Sequence, residues 1–393
     1  MLTAKTFLVF LLQVELLAQL SHAASENAAE FTTMCILNKL LTAKVPEPTI
    51  SSLTQPGGIN LQAAMGNVLQ EIIKLNITTL NTKMQSALES KEPKPTETEL
   101  KGTKMGVADY FKDIPDQIIK EMIALYPQTT SNSKNKLFTA AYNLPLKPEA
   151  KAKLQPLFYN LMIKAVGLNN EVDKKVEQIR AARQTAKSNM LAALYGKAFS
   201  QKKANEIKAE TADILPSPAE FPFHDSDGRN ASCTSAGETE DKAGYSVATD
   251  TVCLCSTLSS GTHNYCTVSA PNCQTDIAAS SGAQAKAATN WQALIKECPA
   301  TVAASEPAGL ATELKQTLAS FFALLGTNSI TMGSYQATKA NTASASRHFF
   351  GVHMLDNGAA PTCTSSGGHA FSANAKGICI DYGTLRQAKK EIP

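Results

Sequence analysis

Residues 168–195 read LNNEVDKKVEQIRAARQTAKSNMLAALY, and this stretch decides the fold class. Leu168, Val172, Val176, Ile179, Ala182, Ala186, Met190 and Ala193 recur at steps of three or four, with no proline or glycine between them. That spacing lines one face of an α-helix, and Lys174, Glu177, Arg180 and Lys187 fall off it. The pattern runs on to about Lys208 past a single glycine, Gly196, where a break into two helices is the competing reading. Taken whole, the segment would extend roughly 60 Å, about twice the diameter of a small domain. A helix of that length calls for an elongated molecule built along it.

A partner lies upstream. After Pro56-Gly57-Gly58, the residues Leu61, Met65, Val68, Ile72 and Leu75 form a heptad-like seam. The stripe then slips by one residue to Leu80, Met84 and Leu88, before Pro93 and Pro95 end it. The expectation is that Leu61–Leu88 packs antiparallel to Leu168–Ala198, with Ala182 and Ala186 permitting close approach. A further helix is expected over Glu26–Ala43, carrying Phe31, Met34, Cys35, Leu37 and Leu41. Prolines at 115, 127, 145 and 148 break the segment up to Pro156 into short helices and loops.

Beyond Pro216 and Pro218 the character changes. Phe221–Ser281 is rich in Gly, Ser, Thr, Asp and Cys and reads as extended loop. Trp291, Leu294, Ile295 and Cys298 share a helical face. Pro307 opens another helix, with Leu310, Leu314, Leu318, Phe321 or Phe322, and Leu325 facing inwards. From Gly326 onwards the sequence again reads as loop. The fold class is therefore mainly α: an elongated antiparallel hairpin or bundle of long helices, with irregular disulfide-stapled lobes at its ends. The expected division is a helical rod over about 24–215, a cysteine-rich lobe over 216–300, and a further helix and final lobe over 301–393.

Composition narrows the function. Of 393 residues, 43% are hydrophobic and 18% charged, an ordinary globular balance. A net charge of +3 is too small to argue for nucleic acid, and 6% aromatic residues supply no stacking platform for bases. Residues 1–23 read as a signal peptide: Lys5, an apolar run over Phe7–Leu20, and the small-x-small end Ser21-His22-Ala23.

The exit from the secretory pathway makes Cys35, Cys233, Cys253, Cys255, Cys266, Cys273, Cys298, Cys363 and Cys379 disulfide candidates. Nine is odd, so one thiol is free or its partner lies elsewhere. Cys363 and Cys379, alone in the final lobe, are expected to pair. Cys253, Cys255, His263, Cys266 and Cys273 have the residue types of a zinc site, but their spacing does not suit one, because ligand pairs favour two to four intervening residues. Cys253 and Cys255 are expected to reach different partners. His348 and His353 are five apart, share no helical face and read as surface or loop residues. No nucleophile elbow, metalloprotease helix or phosphate-cradling loop occurs, so neither a cofactor nor a catalytic residue is assigned. Two sequons are present, Asn76-Ile77-Thr78 and Asn230-Ala231-Ser232. Asn230, in polar sequence, is the easier to glycosylate, while Asn76 needs its helix face exposed.

Several of these stretches occur in the order of a known family. Phe31-Thr-Thr-Met-Cys35, the two long heptad-like helices, Trp291-Gln-Ala-Leu-Ile-Lys-Glu-Cys298, Gly377-Ile-Cys379-Ile-Asp-Tyr382 and Glu391-Ile-Pro393 resemble the amino-terminal domain of trypanosome variant surface glycoproteins. The cysteine clustering is similar to the B-type subclass. The resemblance implies a homodimer on the outer face of the plasma membrane, held by a glycolipid anchor from a segment beyond the residues present. It implies a coat that shields the membrane and varies antigenically against host antibodies, without catalysis. A receptor or serum-resistance-type binding protein on the same scaffold is the alternative.

Overall fold

The computed structural model describes residues 25–51, 58–89, 94–130, 136–211, 214–226, 228–256, 264–267, 277, 281–299, 309–331, 347–355, 360–364 and 376–388. The signal-peptide stretch, Cys273, His263 and Pro307 lie outside them. The main helices are α1 (Ala28–Thr42), α2 (Leu61–Thr79), α3 (Thr82–Glu89), α4 (Asp116–Leu125), α5 (Pro148–Tyr195) and α6 (Lys197–Lys202). They continue with α7 (Gly228–Cys233), α8 (Val247–Cys255), α9 (Ala283–Leu294), α10 (Leu310–Leu324) and α11 (Gly383–Ala388). Strands are short: β1 (Thr49–Ile50) pairs with β2 (Ile59–Asn60), and β3 (Ser329–Thr331), β4 (Phe349–Leu355) and β5 (Gly377–Asp381) form a three-stranded sheet. The fold is mainly α.

Two compact units divide the chain, one of Met1–Pro46 with Arg183–Pro393, the other of Glu47–Ala182. This differs from the division at 215 and 300 drawn from the sequence. The segments on either side of Glu47–Ala182 pack with the cysteine-rich region rather than with the helices between them, so contacts and not composition set the boundary.

Within Glu47–Ala182, α2 and α5 run antiparallel. Gln62 Nε2 donates to Asp173 Oδ1 at 3.0 Å, and Asn76 Nδ2 reaches Met162 Sδ at 3.2 Å, so rising numbers on α2 meet falling numbers on α5. The core between α2, α4 and α5 contains Leu69, Ile73, Ile77, Leu80, Phe111, Ile119, Met122, Met162 and Val166.

This corrects the expected seam. Leu61, Met65, Ile72 and Leu75 are only half-buried, while Val68 is 53% and Leu168 56% exposed. Of the other α5 seam residues, Val176 is buried, Val172 and Ile179 are half-buried, and Ala182 is exposed. The reason is that α2 is apolar on two adjoining faces, and α4 takes the face one residue further on.

The helix boundaries also move. Leu61–Leu88 is two helices, because Leu80 leaves helical geometry and the Asn81 side chain caps α3 by accepting from Met84 N–H at 2.9 Å. Helix α5 begins twenty residues before Leu168. Pro148 is tolerated at the first helical position, where no N–H is needed, and Pro156 is carried inside the helix. The 48 residues span roughly 72 Å. Their end at Tyr195 realises the alternative break: Gly196 has φ +93°, and a Cβ there would run into the Tyr245 ring.

In the other unit, α1, the end of α5, α8 and α9 share one core that includes Phe31, Met34, Leu40, Leu191, Leu194, Val252, Leu254 and Trp291. Two loop readings are overturned here. Helix α8 forms within the stretch read as extended, capped where Ser246 Oγ accepts from Thr249 N–H at 3.1 Å. Every residue from Ala248 to Cys255 is buried, so no polar face marks the period. The stretch after Gly326 supplies the sheet, in which β3 is parallel and β5 antiparallel to β4. Gly351, at φ +109°, lets β4 pass against β5 where a Cβ would lie 2.7 Å from the Ile378 carbonyl oxygen.

Candidate functional site

The cystines organise the centre of the cysteine-rich unit. Cys35 pairs with Cys298, Cys233 with Cys253, Cys255 with Cys266, and Cys363 with Cys379. Neighbouring Cys253 and Cys255 thus tie α8 in two directions. Among the described residues, no three His, Cys, Asp or Glu side chains are placed to hold a metal ion.

Arg229 occupies the middle of this network. Its side chain is fully buried, and Nε donates to the Ser256 carbonyl at 2.7 Å. Its terminal nitrogens donate to the carbonyls of Cys253 at 2.9 Å and Cys363 at 3.2 Å. One guanidinium therefore joins the backbones that carry two cystines. Burial draws its pKa down to about 10, well above neutrality, so it stays charged and its donors stay available. It also donates to Asn230 Oδ1 at 3.3 Å, which orients the amide of the second sequon.

The two sequons fare differently. Asn230 is half-exposed on α7. Asn76 is fully buried, and its Nδ2, the atom a glycan would occupy, donates to Tyr110 Oη at 2.6 Å inside the core. Asn76 is therefore a core residue and not a glycan acceptor. The sequon matches by residue type, but Asn76 lies on the face of α2 that the core buries with Leu69, Ile73 and Ile77.

Other buried polar groups left no signal in the sequence. Asn27 Nδ2 donates to the carbonyls of Leu254 at 2.8 Å and Ile378 at 2.9 Å, while its Oδ1 accepts from Val352 N–H at 2.6 Å. One side chain so joins α1, α8, β4 and β5. Lys187, read as lying off the α5 stripe, is buried with its ammonium donating to the carbonyls of Thr42 and Ala43, each at 2.8 Å. The carbonyl-rich end of α1 accommodates this charge.

His353, read as a surface or loop residue, is buried in β4, and burial lowers its pKa. Asp250 Oδ1 accepts from Gly244 N–H at 2.6 Å, and Oδ2 accepts from the Tyr382 hydroxyl. Burial raises the Asp250 pKa to about 6.

These groups point inward and hold secondary structure together. They are not gathered around a cleft with a nucleophile and a base, which is the arrangement acid–base or nucleophilic chemistry needs. The fold they support is a helical scaffold with a core stapled, among the described residues, by four cystines. The chain matches the trypanosomal VSG domain family over residues 9–393, and it belongs to that family of surface coat proteins. No curated protein matches it. Among the described residues, no helix is long and apolar enough to cross a membrane.

Proposed function

We propose that this chain is the amino-terminal domain of a variant surface glycoprotein that shields the parasite membrane and evades host antibodies by antigenic variation, without catalysis. The observation that carries this reading is the family match over 9–393. The cystine network around Arg229 accords with it, because it staples the helices while leaving polar loops free to vary. Residues 1–23 act as the signal peptide, Asn230 carries a glycan, and a glycolipid anchor on a further segment holds the protein at the outer face.

We further propose that the protein works as a homodimer through the apolar positions that α2 and α5 leave outward. Val68 and Leu168 are more than half exposed, and Leu157 and Leu161 on α5 are 63% and 44% exposed. Apolar residues repeated along helices in this way call for a covering partner. Live cells stained with antibody to this chain, before and after phosphatidylinositol-specific phospholipase C, test the surface reading. Staining lost to the medium supports it, and staining only after permeabilisation overturns it.

A further inference from the structure

The chain passes between the two compact units twice, at Pro46–Glu47 and at Ala182–Arg183, and the second crossing lies inside α5. Just past it, Arg183 holds the end of the first segment. Its Nε donates to the Pro46 carbonyl at 2.9 Å, and Nη2 donates to the Val45 carbonyl at 2.8 Å and to Glu210 Oε1 at 3.0 Å. Lys187, one turn later on the same face of α5, donates from Nζ to the carbonyls of Thr42 and Ala43. A third segment closes over them. Val45 N–H donates to the Ala209 carbonyl at 3.0 Å, Gln184 Nε2 donates to the Ile207 carbonyl, and Ile207 and Ala209 are buried.

Before the crossing, α5 is held by other partners. Arg180 Nη2 donates to Gln62 Oε1 at 3.0 Å within Glu47–Ala182, and the exposed Ala181 and Ala182 separate it from Arg183. Glu47–Ala182 contains no cysteine, so it rests on its own core around Ile73, Ile77, Met122 and Met162. The four cystines of the described residues all lie in the other unit, where Cys35–Cys298 joins its two chain segments. Opening should therefore begin in Glu47–Ala182. Once that core is lost, α5 before Arg183 loses what keeps it helical, since helices draw most of their stability from packing. Past Arg183, the bonds to the carbonyls remain, and Met190, Leu191 and Leu194 stay in the cysteine-rich core.

We propose that Arg183 and Lys187 form a clasp that stops the opening of Glu47–Ala182 from spreading into the cysteine-rich unit. The inserted unit opens and closes on its own, with α5 unwinding as far as Ala182, while the Thr42–Pro46 segment stays seated against α5. The clasp goes beyond a coat role and does not depend on it.

Hydrogen exchange of the full chain under native conditions, read by mass spectrometry on short peptides, tests this. In the wild type, 148–180 should exchange together with 61–79 and 116–125, and at least tenfold faster than 187–195. Arg183→Ala should speed exchange at 187–195 at least tenfold and leave 247–255 and 283–294 within about twofold. Glu210→Gln, which keeps the bonds to the carbonyls, should leave all of these within about twofold. Should Arg183→Ala not fold, Arg183→Lys carries the same comparison, because it loses the fork that spans Val45 and Pro46. A single exchange rate along the whole of 148–195 in the wild type overturns the proposal. So does unchanged exchange at 187–195 in the Arg183 variant. Equal acceleration at 187–195, 247–255 and 283–294 would assign Arg183 a general stabilising role and reject the clasp.

Discussion

Arg229 shows how a single buried side chain can replace several backbone contacts. Its guanidinium supplies donors to three main-chain carbonyls, those of Ser256, Cys253 and Cys363. A lysine has the charge but not the fork geometry, so Arg229→Lys should destabilise the domain by about 2–4 kcal/mol. Urea unfolding with disulfides intact measures this, and an unchanged midpoint contradicts it. Asp250 carries a pH dependence of definite sign. Its folded-state pKa, about 6, lies above the ordinary carboxylate value, so its charged form is penalised in the folded protein. Stability from this group therefore rises as pH falls through 6 and levels off below the unfolded value near 4. Between pH 7 and pH 5 the wild type should gain about 1 kcal/mol relative to Asp250→Asn. Comparing the two proteins at both pH values cancels Glu30, raised by burial, and His353, lowered by burial. A constant difference would contradict the assignment. None of these residues was legible in the sequence, because a polar residue buried by distant segments has no local pattern.

At the scale of elements, periodicity was legible and the choice of face was not. Helix α2 carries two apolar stripes, Leu61-Met65-Val68-Ile72-Leu75 and Leu69-Ile73-Ile77, the second continued by Leu80 just past the helix end, and the sequence offers both. The second is buried against α4 and α5, and the first remains half-exposed. Ile73→Ala or Ile77→Ala should therefore cost about 2–5 kcal/mol by opening a cavity, whereas Val68→Ala should stay within about 0.5 kcal/mol for the isolated chain. Reversal of that order in chemical denaturation would restore the heptad seam as the core. The antiparallel pairing of the two helices was readable because both are long and strongly patterned. Helix α8 was not, because a helix buried on every side shows no stripe, and its Ser246 cap was lost among the serines and threonines of its loop. The three-stranded sheet was hidden for a related reason. Residues 349–355 are buried throughout and show no alternation, and β3 and β5 are short.

For the whole molecule, the cystines set how distant segments are held. Cys35–Cys298 closes a separation of 263 residues and Cys363–Cys379 one of 16. The chain-entropy model assigns about 3 kcal/mol to the shorter loop and more to the longer, so removing Cys35–Cys298 by paired alanines should be the costlier change. Thermal unfolding of the two double variants ranks them, and equal losses would contradict the entropic account. The pairing of Cys363 with Cys379 was legible because no other cysteine lies near them in sequence. The partner of Cys35 was not, since any member of the later cluster was open to it. Assembly is a separate test: Val68→Glu with Leu168→Glu should convert a dimer to a monomer in light scattering, and a monomeric wild type would reject the proposed interface. The coat reading is tested most directly by quantifying surface-accessible protein on living cells that express this chain, using membrane-impermeant labelling and mass spectrometry. A coat protein must dominate that surface, so its peptides should make up most of the labelled material. A minor share of the labelled protein would contradict the account.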